Sequence, residues 1–195
     1  MQKNFFKFIF LIFFVQLVSE KTVLAQAEDS LLNIKAKTLL KLLSVVSGEK
    51  LEKSDTFHVA ILGDFSDSAR YQEAKTVFDE LKYVRNHLNR KTFRFIFHFD
   101  DYHSYHQREK PTWDAVVLVQ VDSMSTQEIL TYCGLEKIIS ITLDPTTMSE
   151  GFAIGISLDR DFRPIILLNV YALNRAGYSF DTEVLQMTRV KKIEL

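Results

Sequence analysis

The chain has 195 residues, of which 24 are Lys or Arg and 25 are Asp or Glu, and its formal net charge is −1. This length suits one domain with a sizeable core. A near-neutral charge argues against a nucleic-acid-binding surface, and the single cysteine, Cys133, excludes an intramolecular disulfide.

The first 27 residues have the pattern of a secretory signal peptide. Two lysines precede an apolar stretch at residues 8–18, and Ala25-Gln26-Ala27 is a small-x-small cleavage site. The apolar stretch is short for a membrane span, although an uncleaved anchor is the alternative. We therefore expect residues 1–27 to be removed and residues 28–195 to form an exported, periplasmic domain that does not itself span the membrane.

The domain begins with two predicted helices that flank a short strand. A helical repeat of apolar residues runs from a cap at Asp29-Ser30 to a stop at Gly48. Residues 57–62 form an apolar run typical of a strand. The second helix is capped by Ser66 or Asp67 and ends in a positively charged stretch, where the helix dipole favours cations.

The middle of the chain contains three further predicted strands. Residues 92–99 alternate, with phenylalanine at every second position, which indicates a strand with one aromatic face. A polar connection at residues 100–111 follows. The continuous apolar run within residues 113–121 indicates a central strand. The remaining elements of this region are a short helix capped by Ser125 and stopped by Gly134, and a strand at residues 138–142.

The end of the domain is predicted to be a hairpin followed by two helices. Residues 152–158 and 165–169 are close enough in sequence to pair as antiparallel strands. The four consecutive apolar residues of the second strand indicate burial on both faces, near the middle of the sheet. A helix at residues 171–176 stops at Gly177, which suits a left-handed backbone. A final helix begins at Asp181 or the next residue, a threonine.

The order of these elements predicts the fold class. Strands that alternate with helices, together with a hairpin near the end, are typical of an α/β domain. We therefore expect a single domain with a mixed, mostly parallel sheet, helices on both faces, and a C-terminal antiparallel hairpin.

A set of short motifs is spread through the predicted strands and the C-terminal helices. They are Val59-Ala60-Ile61-Leu62-Gly63, residues 115–119, residues 138–142, Gly151-Phe152-Ala153-Ile154, residues 165–169, Ala172, Arg175-Ala176-Gly177 and Val184-Leu185. In these motifs the chain resembles the YfiR-like family of exported regulatory proteins, over about residues 30–190. It departs from that family in its first helix, which lacks the usual aromatic residues and Trp-Pro ending, and in having no cysteine pair.

The resemblance implies a function as well as a fold. It implies a periplasmic, non-catalytic regulatory protein without a cofactor, which binds the outer segment of an inner-membrane signalling protein and restrains it. The partner in this family is typically a cyclic-di-GMP synthase. The resemblance also implies that the chain can form a homodimer.

Two polar residues near the end of the domain are candidates for a partner surface or a ligand edge. Asn169 follows a predicted strand, and Arg175 lies in the short helix after it. A structural role is the alternative: Asn169 would bond exposed backbone at the strand end, and Arg175 would complete the last helical turn.

Two further places in the sequence could bind a ligand. Gly63-Asp64 follows a strand, and ligands bind at the carboxyl ends of strands in open α/β sheets, although a tight strand-to-helix turn explains this lone glycine better. His98, His103 and His106 could coordinate a metal ion, or they could belong to a solvated loop. A periplasmic small-molecule or metal-binding protein is therefore the alternative function. No nucleophile elbow or positioned carboxylate pair is present, so we do not expect an enzyme.

Overall fold

A computed structural model describes residues 30–48, 51, 54–87, 94–107 and 112–193 of the chain, without the side chains at positions 105–107 and 123. The predicted signal peptide lies outside these residues. None of the helices in the described part combines the length and the apolar character that a membrane crossing requires.

Helices and strands alternate along the chain, as the apolar spacing predicts. In chain order they are α1 (residues 30–43), β1 (Ser47–Gly48), β2 (Thr56–Gly63), α2 (Ser68–His87), β3 (Arg94–Asp101), β4 (Ala115–Val119), α3 (Ser123–Glu136), β5 (Ile139–Thr142), β6 (Ile154–Leu158), β7 (Pro164–Leu168), α4 (Val170–Arg175), β8 (Tyr178–Ser179), α5 (Thr182–Leu185) and β9 (Val190–Lys192). Two short 3-10 helices, Tyr102–Gln107 and Pro145–Glu150, follow β3 and β5.

Seven strands form one mixed sheet in the order β3-β2-β4-β5-β6-β7-β9. Neighbouring strands are parallel except for β6 and β7, which pair as the predicted antiparallel hairpin. If β2 is taken as strand 1 of this sheet, the strands β2 to β6 lie side by side in the order 2-1-3-4-5. This order is typical of a doubly wound sheet. The predicted fold class, a single α/β domain with a mostly parallel sheet, is confirmed.

The sheet separates two hydrophobic cores because successive side chains of a strand point to opposite faces. In β2, Val59 and Ile61 pack into the core that also buries α1, α2 and the C-terminal segment. Ala60 and Leu62 pack into the second core, which contains Ile129 of α3 and residues of both 3-10 helices. Helices therefore cover both faces, as predicted.

Two predicted helix stops are wrong. Helix α1 ends at residue 43, and Gly48 instead pairs with Tyr178 in a two-stranded sheet formed by β1 and β8. Helix α3 begins after Asp122, whose carboxylate accepts from two backbone N–H groups. It runs through Gly134 to Glu136 and is capped by Lys137, where φ is 57°. A glycine interrupts a helix only weakly when tertiary contacts hold the helix together.

The C-terminal part of the sheet also differs from the prediction. Strand β7 lies next to the edge of the sheet, and only Leu168 among its residues is fully buried. The last predicted helix is a single turn, and the chain then adds β9 at the edge, parallel to β7. The sequence could not show this, because a run of four apolar residues looks the same whether helices cover its strand fully or only partly.

Candidate functional site

Gly63 lies at the end of β2, where the chain leaves the sheet for α2. A Cβ built on Gly63 would lie 2.4 Å from the Cβ of Ala74 in α2, far inside van der Waals contact. The glycine therefore allows close packing of helix on strand. Gly63 does not line any of the three cavities described below.

Asp64 is buried and makes several polar contacts after β2. Its Oδ1 accepts from the hydroxyl and the backbone N–H of Ser66, at 2.6 and 3.0 Å, and its Oδ2 accepts from Arg70 at 2.9 Å. The hydrogen bond from the Ser66 hydroxyl is the main reason that the pKa of Asp64 is lowered, and Arg70 adds to it. The carboxylate therefore stabilises the turn into α2, where Asp67 caps the helix by accepting from two backbone N–H groups.

The predicted histidines have different neighbours. His98 lies in β3, and its Nε2 is 3.0 Å from Nδ1 of His58 in β2, with the two rings stacked. His103 lies in the 3-10 helix, where its Nε2 is 3.8 Å from Oδ1 of Asp64. The side chain of His106 is outside the described part. Among the described residues, no group of three or more His, Cys, Asp or Glu side chains could hold a metal ion.

Asn169 is buried and caps α4. Its side-chain Oδ1 accepts from the N–H of Ala172 at 3.0 Å, and its own N–H donates to the carbonyl of Ala153. The structural role considered for Asn169 is therefore present in the fold.

Arg175 is exposed in the last turn of α4, and its guanidinium lies over Gly134 of α3. A Cβ built on Gly134 would be 3.0 Å from the guanidinium carbon. Both residues line a cavity of about 240 Å³ between the two helices, which we call the α3–α4 groove. Glu150 also lines this groove, and its Oε2 is buried without a hydrogen-bond partner among the described residues.

Large apolar side chains are exposed on both helices that form the α3–α4 groove. Tyr171, which lines the groove, is 73% exposed, and Leu135, which follows Gly134 in α3, is 71% exposed. Exposed apolar side chains next to polar groups are typical of protein-binding surfaces. Sequence reasoning did not find Glu150, Leu135 or Tyr171, because nothing in their spacing indicates that α3 and α4 meet.

A second cavity, of about 330 Å³, lies at the carboxyl ends of β4 and β5. Its lining includes Lys35 of α1, Glu73 of α2 and Gln120 after β4. The amine of Lys35 donates to the carbonyl of Leu143 at 2.7 Å, and burial lowers the pKa of this lysine. We call it the switch-point cavity, because it lies near the place where the strand order reverses between β2 and β4.

The backbone at the switch-point cavity is unusual at one residue. Gln120 has φ of 49°, in the left-handed region that costs a non-glycine residue on the order of 1 kcal/mol or more. Such residues are frequent at ligand sites. Gly63 and Asp64, the predicted crevice residues, lie at the carboxyl end of β2 but do not line this cavity.

Cys133 is the one thiol of the chain and is buried in the second core. Burial raises its pKa to about 12, so the reactive thiolate is scarce at neutral pH. Cys133 therefore packs as a small apolar side chain of the core.

The strand order and the helices on both faces of the sheet define the chain as a doubly wound α/β domain. No protein-family model matches the chain, and no curated protein matches it. Among solved structures, the chain is similar to the ABC domain in complex with L-Trp from Streptococcus pneumoniae, with a TM-score of 0.52 and 7% sequence identity. The match covers 82% of this chain and 62% of that one, less than two thirds of its length. At this identity the likeness shows the fold alone.

Proposed function

We propose that the chain is an exported, non-catalytic regulatory module of the YfiR-like type. In this role it binds the outer segment of an inner-membrane signalling protein, a cyclic-di-GMP synthase, and restrains its activity. The N-terminal signal pattern and the family resemblance support the proposal, and the α/β fold is the one that the resemblance implies. By preferring one state of its partner, such a module shifts the partner's conformational equilibrium without any chemistry of its own.

The observation that carries the proposal is the surface around the α3–α4 groove. It combines exposed apolar side chains, the cationic Arg175 and a buried carboxylate oxygen of Glu150 that has no described partner. An apolar centre with a few polar groups is the usual composition of a protein-binding surface. Arg175 lies exposed in the last turn of α4, whereas Asn169 is buried, and so Arg175 is the better candidate for partner contact.

Deletion of the gene in the source organism tests this function. We expect the cellular concentration of cyclic-di-GMP, measured by mass spectrometry, to rise severalfold and to return to normal when the full chain is supplied again. The double variant Tyr171→Ser/Arg175→Glu should reach the same protein level but fail to restore the normal concentration. The variant Arg160→Gln, in an exposed turn, is the control and should restore it. An unchanged cyclic-di-GMP concentration after deletion would contradict the proposal.

The switch-point cavity favours a second candidate function, the binding of a small molecule. Its volume of about 330 Å³ lies in the range of small-ligand pockets, and the similar Streptococcus domain was solved with L-Trp. L-Trp is therefore a suitable first probe. A rise in the melting temperature of the full chain with L-Trp, abolished by Lys35→Met, would support this function. No shift at millimolar L-Trp would count against it.

A further inference from the structure

A third cavity, of about 420 Å³, lies where the last turns of α2 face the start of β3. Three cationic side chains line it: Lys82 and Arg85, which are one turn apart on α2, and Arg94, the first residue of β3. No Asp or Glu is among the lining residues that the structure describes. We call it the basic cavity.

The charges of the basic cavity are held in place without being neutralised. The guanidinium of Arg85 donates to the carbonyl of Phe95 at 3.2 Å and to the side-chain oxygen of Asn86, and both acceptors are uncharged. Its carbon lies 5.8 Å from the centre of the Phe97 ring. The amine of Lys82 lies 5.0 Å from the centre of the Phe78 ring. Aromatic faces and uncharged acceptors orient these cations without cancelling their positive charge.

Within the described residues, no carboxylate lies within 4.0 Å of any of these three cations. The C-terminal end of a helix favours cations, which explains why Lys82 and Arg85 occur on α2. It does not explain Arg94, which comes from a strand and adds a third positive charge to the same cavity. Convergence of unpaired cations from two elements is the arrangement that binds phosphate groups.

We propose that the basic cavity binds a phosphate ester anion. Three donors from two elements surround the anion on more than one side, and Arg85 is already oriented by its neutral hydrogen bonds. The chain as a whole is mildly acidic, so this attraction is local to the cavity. The phosphate group can belong to a soluble ester or to an anionic phospholipid headgroup. The inference does not depend on the regulatory role proposed above.

The test measures binding of the protein, as its own source cells produce it, to two probes. The first probe is soluble glycerol 3-phosphate, measured by calorimetry. The second is a vesicle of phosphatidylglycerol, measured by co-sedimentation against vesicles of neutral phosphatidylcholine. The variant is Lys82→Gln/Arg94→Gln. The control, Arg160→Gln/Lys191→Gln, removes the same charge at exposed positions in the β6–β7 turn and on β9, the opposite edge strand.

We expect the variant to bind about 25-fold more weakly than the parent, because each basic residue contributes roughly fivefold to the binding of an anionic headgroup. The control should stay within about twofold of the parent. Binding of both probes with this dependence assigns a phosphate site open to either source, whereas binding of the vesicle alone assigns the lipid headgroup. The proposal would be overturned if the protein bound neither probe. It would also be overturned if the variant and the control lost binding affinity equally. Unchanged circular dichroism spectra would show that both variants are folded.

Discussion

Single residues near the ends of the strands have structural roles that are now well defined. Asp64 accepts hydrogen bonds from Ser66 and Arg70, and Asn169 caps α4. Cys133 is an apolar core residue rather than a reactive thiol. Polar side chains at the start of a helix usually accept hydrogen bonds from its backbone N–H groups, as Asn169 does. Exposed Arg175 is therefore the stronger candidate for partner binding.

Asp64 should make the stability of the domain depend on pH. Its pKa in the folded state is lower than its ordinary value of 3.8, so its contribution is fully present above that value. The contribution is lost as the pH falls through the lower, folded-state pKa. Urea unfolding should therefore show a larger loss of stability between neutral and acidic pH for the parent than for Asp64→Asn. Asp181→Asn, which removes a carboxylate without a capping hydrogen bond, should behave like the parent.

Cys133 should be protected from alkylation in the folded protein. With a pKa of about 12, its thiolate fraction at pH 8 is on the order of one in ten thousand, and its sulfur is also shielded from reagent. Mass spectrometry should find no iodoacetamide adduct under native conditions and full modification in urea. Equal modification rates in the two conditions would disprove burial of this side chain.

At the scale of elements, the packing of α2 on β2 sets the geometry at the carboxyl end of the sheet. The absence of a side chain at Gly63 brings α2 close to the strand, and Val77 and Glu73 of this helix then line the switch-point cavity. The two helices of the α3–α4 groove approach each other in a similar way, with Arg175 over Gly134. Glycines at these contacts thus shape both candidate binding surfaces.

Gly63→Ala should destabilise the domain by about 1–3 kcal/mol, the usual cost of overpacking a tight contact. Ala74→Gly on its own should cost about 1 kcal/mol, because glycine is a poor residue inside a helix. The double variant Gly63→Ala/Ala74→Gly removes the clash and should be clearly more stable than the sum of the single effects predicts. Strict additivity in urea unfolding would show that the two positions are not in contact.

At the scale of the whole molecule, one sheet is shared by two cores. The core with α1 and α2 and the core with α3 are built on the same central strands. The predicted homodimer and the partner protein would add to this unit from outside. The homodimer and the partner protein both stay predictions. Light scattering of the purified protein would test whether it forms the homodimer.

The shared sheet predicts a single cooperative unfolding transition. Trp113 is the one tryptophan of the chain and is buried in the core with α3, whereas most of the helical circular dichroism comes from α1 and α2 in the other core. Fluorescence and circular dichroism should therefore show the same midpoint in urea. Two separate midpoints would mean that the cores unfold independently.

The sequence by itself determined the fold class, the hairpin and most of the strands, because alternation and helical spacing depend on local backbone geometry. It also predicted Gly177 as a left-handed stop, and φ there is +83°. Roles that depend on neighbours three residues away, such as the cap at Asn169, could be read from the sequence for the same reason.

Contacts between distant segments were decided by the tertiary structure alone. Gly134 looked like a helix stop, yet α3 continues past it, and the glycine instead leaves room for the guanidinium of Arg175, about 40 residues later. The strand order brings Glu150 into the α3–α4 groove, and it places Arg94 beside Lys82 in the basic cavity. Local pattern carries no information about which faces of remote elements meet, because that is settled by the packing of the whole core.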